Sequence, residues 1–204
     1  MTSPLALTGS VDGFFHDAVV RAKEANRVEA STEATHYMGK LLADFARPDA
    51  PRATFETPLV FLLDDAMKTP LLHERFEKLR VLGDGVLYGL GFFGDRFEAK
   101  GIDEGYVIGV GRAAYENAGA ILKRGAEGPQ APDLFTELAS RFSALVEVLS
   151  YVADHFFAKG AGAVGDRGVV KLYERWLKTR SDSLAEALSA HGFIAPRRGS
   201  GVLQ

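Results

Sequence analysis

Apolar residues along this chain recur every three or four positions, and no stretch sustains an every-second-residue alternation. That spacing is the period of a helix with one buried face. A first helix is expected over about 11–27 on Phe14, Phe15, Ala18, Val19 and Ala22, with Ser10 or Asp12 as its cap. A second is expected over 31–46, with Tyr37, Met38, Leu41, Leu42 and Phe45 inward and Ser31 or Thr32 capping. Pro48, Pro51 and Pro58 make the next stretch a loop, because proline inside a helix loses a hydrogen bond. Thr57-Pro58 reads as N-cap and first helical residue of a helix that stops at Thr69-Pro70.

Further helices are expected over 71–97, 102–124 and 133–158. The second of these ends at Gly125, and Asp133 caps the third. In the third, Leu134, Leu138, Phe142, Leu145, Leu149, Val152 and Phe156 form a seam that needs a facing helix. A short helix over 169–178 and a last one, opened by a Ser183/Glu186 capping box and closed at His191-Gly192, complete the chain. Phe193 and Ile194 are expected to fold back onto the core.

The stretch from 71 to 97 is expected to be the centre. Leu72, Phe76, Leu79, Leu82 and Val86 mark its buried face, and Gly83, Gly85, Gly89, Gly91 and Gly94 follow among large apolar residues. Each glycine costs a helix about 1 kcal/mol relative to alanine. Close approach of another backbone offsets that cost most simply, and a break near Gly83–Gly85 is expected as well. The fold class is therefore all-α: a single-domain helical bundle of seven to eight helices spanning 1–204, with the Gly-rich helix and the 133–158 helix as its core pair. Residues 1–10 and 196–204 are expected to be disordered tails, and 159–195 a basic C-terminal helical pair packed on the bundle.

Composition narrows the function classes. The absence of cysteine excludes disulfides, thiolate catalysis and cysteine-ligated metals. No apolar run approaches the roughly 20 residues of a membrane span, and the start, MTSPLALTGS, lacks the basic and apolar regions of a signal peptide. A cytoplasmic location is expected. A net charge of −3 argues against a general nucleic-acid binder. Residues 159–204 nevertheless carry eight Lys or Arg against four Asp or Glu, either a solvated face or a docking surface for an acidic partner.

Candidate chemistry is sparse. Residues 106–114, YVIGVGRAA, have the letters of a strand followed by G-x-G-x-x-A, but no βαβ unit follows, so small residues at a helix contact explain them. Glu33 and His36 have the E-x-x-H spacing of di-iron bundles, without the second pair such sites need; His16 or Asp12 could add to an unconventional metal site. His73 with Glu77, and Asp12 with His16, share helix faces and could serve a metal or acid–base chemistry, though surface hydrogen bonds are the plainer reading. Haem would need His36 or His155 facing an apolar slot. Asp64 and Asp65 diverge on a helix, and Asp84 and Asp95 lie about 16 Å apart on a continuous one, so these acids read as solubility residues or caps.

Neither a nucleophile elbow nor a P-loop occurs. Lys171, Arg175, Lys178 and Arg180 could touch phosphates in a helix-turn-helix, but the last helix lacks base-reading side chains. Trp176 is expected to be a core anchor, and Tyr88, Phe92, Phe93 and Tyr115 to line a pocket if the glycines thin the central helix. No catalytic, cofactor-binding or metal-binding residue and no cofactor is assigned. The expected function is a non-catalytic helical interaction or regulatory module that binds a protein partner or itself, since Phe14, Phe15, Phe92, Phe93, Phe156 and Phe157 exceed one obvious core. A metal- or haem-binding helical-bundle enzyme and an apolar-ligand binder are the alternatives.

Overall fold

A computed structural model describes residues 11–47, 57–125, 134–160 and 166–192. The expected caps Ser10 and Asp133, the loop prolines Pro48 and Pro51, both tails, and Phe193 and Ile194 lie outside those residues. Among the described residues every regular element is a helix. They are α1 (Val11–Asn26), α2 (Thr32–Phe45), α3 (Leu59–Lys68), α4 (Leu72–Ala99), α5 (Glu104–Gly125), α6 (Leu134–Ser140), α7 (Phe142–Gly160), α8 (Asp166–Thr179) and α9 (Asp182–Ala190). The protein is an all-α bundle with a Gly-rich central helix. It divides into two compact units, Met1–Leu149 and Ser150–Gln204, with the division inside α7. None of the described helices is long and apolar enough to cross a membrane.

Local chemistry explains most boundaries. Ser31 caps α2, its Oγ accepting from the Ala34 amide at 3.0 Å. Thr69 ends α3 in an extended conformation, as a residue before proline must. Arg27, with φ 54°, turns the chain between α1 and α2 in the left-handed region. Four expectations need correction. Pro58, not Thr57, is the N-cap of α3. Ser181, not Ser183, precedes the last helix and makes no side-chain cap bond, so the Ser183/Glu186 box does not form. The expected 133–158 helix is two, α6 and α7, parted at Arg141. There the Ser140 hydroxyl donates back to the Glu137 carbonyl at 3.0 Å, which also accepts from the Arg141 amide at 3.0 Å. Finally, α4 runs unbroken through Gly83–Gly85 and kinks beyond them, at Phe93 with φ −135° and ψ 28°.

In the first unit α4 makes its most extensive interface with α5, rather than with the 133–158 segment, and α1 pairs with α2. The glycines of α4 are buried at 83, 85, 89 and 91. What fills their missing side-chain space differs from site to site. A Cβ on Gly91 would stand 2.5 Å from the Cβ of Leu149, and one on Gly39 in α2 would stand 2.9 Å from the Cα of His16. These are the close main-chain approaches that clustered glycine predicts. At Gly83 the occupant is instead the ring of Tyr115, 2.5 Å from the ideal Cβ, and at Gly111 of α5 it is the ring of Phe142. Gly94 has open space around it.

The second unit has its own small core. Val169, Leu172 and Trp176 of α8 meet Leu184, Ala185 and Leu188 of α9, with Ala158 of α7 against them. Trp176 is buried there, as expected of a core anchor.

Candidate functional site

The most unusual chemistry in the molecule sits in the middle of α4. Asp84 follows Gly83 and is buried, only 7% exposed. Its Oδ1 accepts two phenolic hydroxyls, from Tyr37 of α2 at 2.6 Å and from Tyr115 of α5 at 2.8 Å. Its Oδ2 accepts from Nη1 of Arg80, one turn earlier on α4, at 2.8 Å. Arg80 is itself held by Glu77 at 2.7 Å and reaches the surface. The polar centre thus joins α2, α4 and α5. Its access is set by glycine, because the Tyr115 ring lies where a Gly83 side chain would be.

An aromatic wall surrounds it. Phe135 of α6 meets Tyr37, Phe76 and Tyr115 with ring centroids 5.7, 5.3 and 5.8 Å away, the first two edge-on. Phe142 of α7 meets Tyr115 at 5.8 Å. Edge-on contacts place the positive ring rim against a negative face and suit tight packing.

Charge in this setting is costly, and the pKa directions follow. Burial pushes Asp84 up to about 6, although both phenols and Arg80 favour the carboxylate and pull it back. Burial and the neighbouring Asp84 charge hold Tyr37 and Tyr115 above the ordinary phenol value. Arg80 also stands above its ordinary value: burial works against its charge, but the Glu77 hydrogen bond and the Asp84 charge outweigh it. The phenols are therefore fixed donors, poor as nucleophiles or bases. The carboxylate has three donors on its two oxygens, a satisfied buried network of the kind that selects one arrangement of its helices.

The residues singled out in the sequence fare unevenly. Asp84 is neither a cap nor a solubility residue, because α4 buries it; Asp95 is exposed. Tyr115 and the other expected pocket residues do not meet: Tyr115 joins Asp84, whereas Tyr88 stacks on Phe45 at 4.2 Å and on Phe92 at 4.8 Å. Residues 106–114 lie within α5, where Gly111 receives the Phe142 ring, so the letters reflect packing and no strand. His73 is exposed and lies 4.0 Å from Glu74, while Glu77 is bound to Arg80 instead. Asp64 and Asp65 pair with Lys68 and Lys78. The rings of His16 and His36 come together, 5.9 Å between centroids. Among the described residues no three His, Cys, Asp or Glu side chains gather as a metal cluster.

In the second unit Arg175 is not a phosphate contact. It is buried, its Nε donating to Asp154 of α7 and its Nη2 to the Ser150 carbonyl at 3.4 Å. Burial raises the Asp154 pKa, and the Arg175 charge opposes that rise. Arg180 lies over the Trp176 ring, 4.6 Å from its centroid. Neither Asp84 nor Asp154 was a candidate by motif. The signal available for Asp84 was a lone acid between two glycines in an apolar run, VLGDGVL.

The fold and this centre together define a class, an all-α bundle locked by a buried carboxylate–phenol network. No protein-family model, no curated protein and no solved structure matches the chain.

Proposed function

We propose that the chain is a non-catalytic helical interaction module that pairs with a second copy of itself, with α3 at the contact. The observation that carries this reading is the exposure of large apolar side chains along one element. Val60, Phe61 and Met67 of α3 and the adjoining Leu71 and Leu72 are 47%, 62%, 39%, 54% and 50% exposed. Tyr106 of α5 lies beside them, 41% exposed, and its hydroxyl accepts from the Val60 amide at 3.1 Å. Contiguous apolar surface of this kind marks association sites.

The rim favours a second copy over a charged partner. Asp64–Lys68 at 2.6 Å and Asp65–Lys78 at 2.7 Å pair opposite charges beside the apolar residues. A two-fold interface brings one patch against itself, which a rim of balanced sign tolerates and a rim of single sign does not. One short helix and its flanks make a small interface, so weak, micromolar pairing is expected. The non-catalytic part of the reading is supported by the Asp84 centre, whose oxygens are already occupied by Tyr37, Tyr115 and Arg80. A cytoplasmic setting belongs to the proposal, in keeping with a chain that has no cysteine.

Sedimentation velocity over a range of concentrations tests it. The wild-type chain is expected to shift from monomer to dimer, and a Val60→Ser/Phe61→Ser variant to stay monomeric with unchanged helical circular dichroism. A wild-type chain that remains monomeric throughout contradicts the reading.

A further inference from the structure

We propose that His16 and His36 form a two-imidazole site for a divalent transition metal ion of the zinc class, spanning the α1–α2 hairpin. Two observations on the imidazoles converge on it, and the packing of α1 on α2 accounts for their meeting. The two rings stand 5.9 Å apart, tilted by 56°. The Nδ1 atom of His16 is buried and has no hydrogen-bond partner. The backbone of His16 is seated against α2 at Gly39, where a Cβ would come within 2.9 Å of the His16 Cα.

The ring separation leaves room for shared coordination. With a metal–nitrogen distance of about 2.0–2.1 Å, an ion lies roughly 3.2 Å from each ring centroid; two centroids are then about 5.2 Å apart at the tetrahedral angle and about 6.4 Å apart when the ligands oppose. The observed 5.9 Å falls between these limits. An imidazole nitrogen withdrawn from solvent with no donor facing it is an anomaly in a folded protein, since buried polar atoms are nearly always paired. In the tautomer with its proton on Nε2, Nδ1 of His16 offers the lone pair that zinc-class ions take from histidine. Gly39 lies three residues beyond His36, one turn along α2, so the same close helix contact that seats His16 presents His36 beside it.

No third His, Cys, Asp or Glu joins the pair among the described residues. The ion's remaining positions fall to water or to a ligand from another molecule. The site is thus an open one, weaker than a four-ligand structural zinc site, and its effect on the chain is to clamp α1 to α2. It is separate from the Asp84 centre and does not depend on self-association.

The test is calorimetric titration of chelator-stripped full-length protein with zinc chloride, alongside thermal unfolding with and without zinc. One ion per chain at micromolar affinity is expected, with a zinc-dependent rise in Tm. His36 is exposed, so His36→Gln leaves the fold intact; it is expected to weaken binding at least about tenfold and to abolish the rise in Tm. His16→Gln gives the same loss. No binding by the wild-type chain, clearly substoichiometric binding, or zinc binding that survives in the His16→Gln/His36→Gln double variant overturns the proposal.

Discussion

Two buried carboxylates, one in each unit, each meet an arginine but differ in what else holds them. Asp84 takes two neutral phenols and one arginine that reaches the surface. Asp154 faces Arg175, a full positive charge buried with it. Burial raises the pKa of both acids. The difference lies in what the surrounding helices must supply. An ion pair needs only one long side chain that reaches the acid, and α7 and α8 carry no glycine at the contact. Two phenols on one oxygen need rings laid close on the helix that bears the acid. Gly83 provides that room for Tyr115. The glycine cluster of α4 is therefore partly a device for hydrogen bonding, beyond the close helix packing that glycine usually signals.

The contrast can be broken most forcefully in the second unit. Arg175→Met leaves Asp154 buried without its charge partner and is expected to destabilise by about 3–5 kcal/mol at neutral pH, and by less as the pH falls, since burial favours the protonated acid. Chemical denaturation at two pH values measures it. In the first unit Tyr115→Phe removes one donor from a carboxylate that keeps two others, and the expected cost is smaller, about 1–3 kcal/mol. Tyr37→Phe is expected to cost less again, about 0.5–1.5 kcal/mol, because Tyr37 is less buried than Tyr115.

The pH dependence sharpens the comparison further. Asp84 titrates at about 6 in the folded chain against an ordinary value of 3.8, so between those values the folded state binds its proton more tightly. Its contribution to stability is fully present below about pH 4 and is lost as the pH rises through about 6. Asp84→Asn removes this slope. The stability of wild type minus that of the variant is expected to fall between pH 4.5 and 7, by about 1–3 kcal/mol, in paired urea titrations. A difference that rises with pH would show that the donors around Asp84 outweigh its burial.

How much of this could be read from the chain alone depends on whether the cause was local. The helices and the Ser31 cap follow from spacing and short polar side chains, and each matches its expected place within a few residues. The split at Arg141 does not, because the apolar seam runs through it without interruption; what marks the place is a tie from the Glu137 carboxylate to the Ser31 amide, 106 residues away in sequence. Glycine in α4 announced that something comes close, yet a helical pattern cannot say whether it is a backbone or a ring. Spacing along α4 sets Asp84 against Asp95; apart from Arg80 on the same helix, the partners that hold it, Tyr37 and Tyr115, stand 47 and 31 residues away in sequence. His16 and His36 were each visible, and their meeting required the α1–α2 turn at Arg27.

The central claim is that position 83 is glycine because the Tyr115 ring occupies the space of its side chain. A double-mutant cycle tests it directly, measured by urea unfolding in a fixed concentration of a stabilising osmolyte so that all four proteins fold. In the wild-type background Gly83→Ala is expected to destabilise, by about 1–3 kcal/mol, from overpacking against the ring. In a Tyr115→Ala background the clash is gone, and the same change is expected to stabilise by up to about 1 kcal/mol through helix propensity. A Gly83→Ala effect of the same sign and size in both backgrounds would contradict the account.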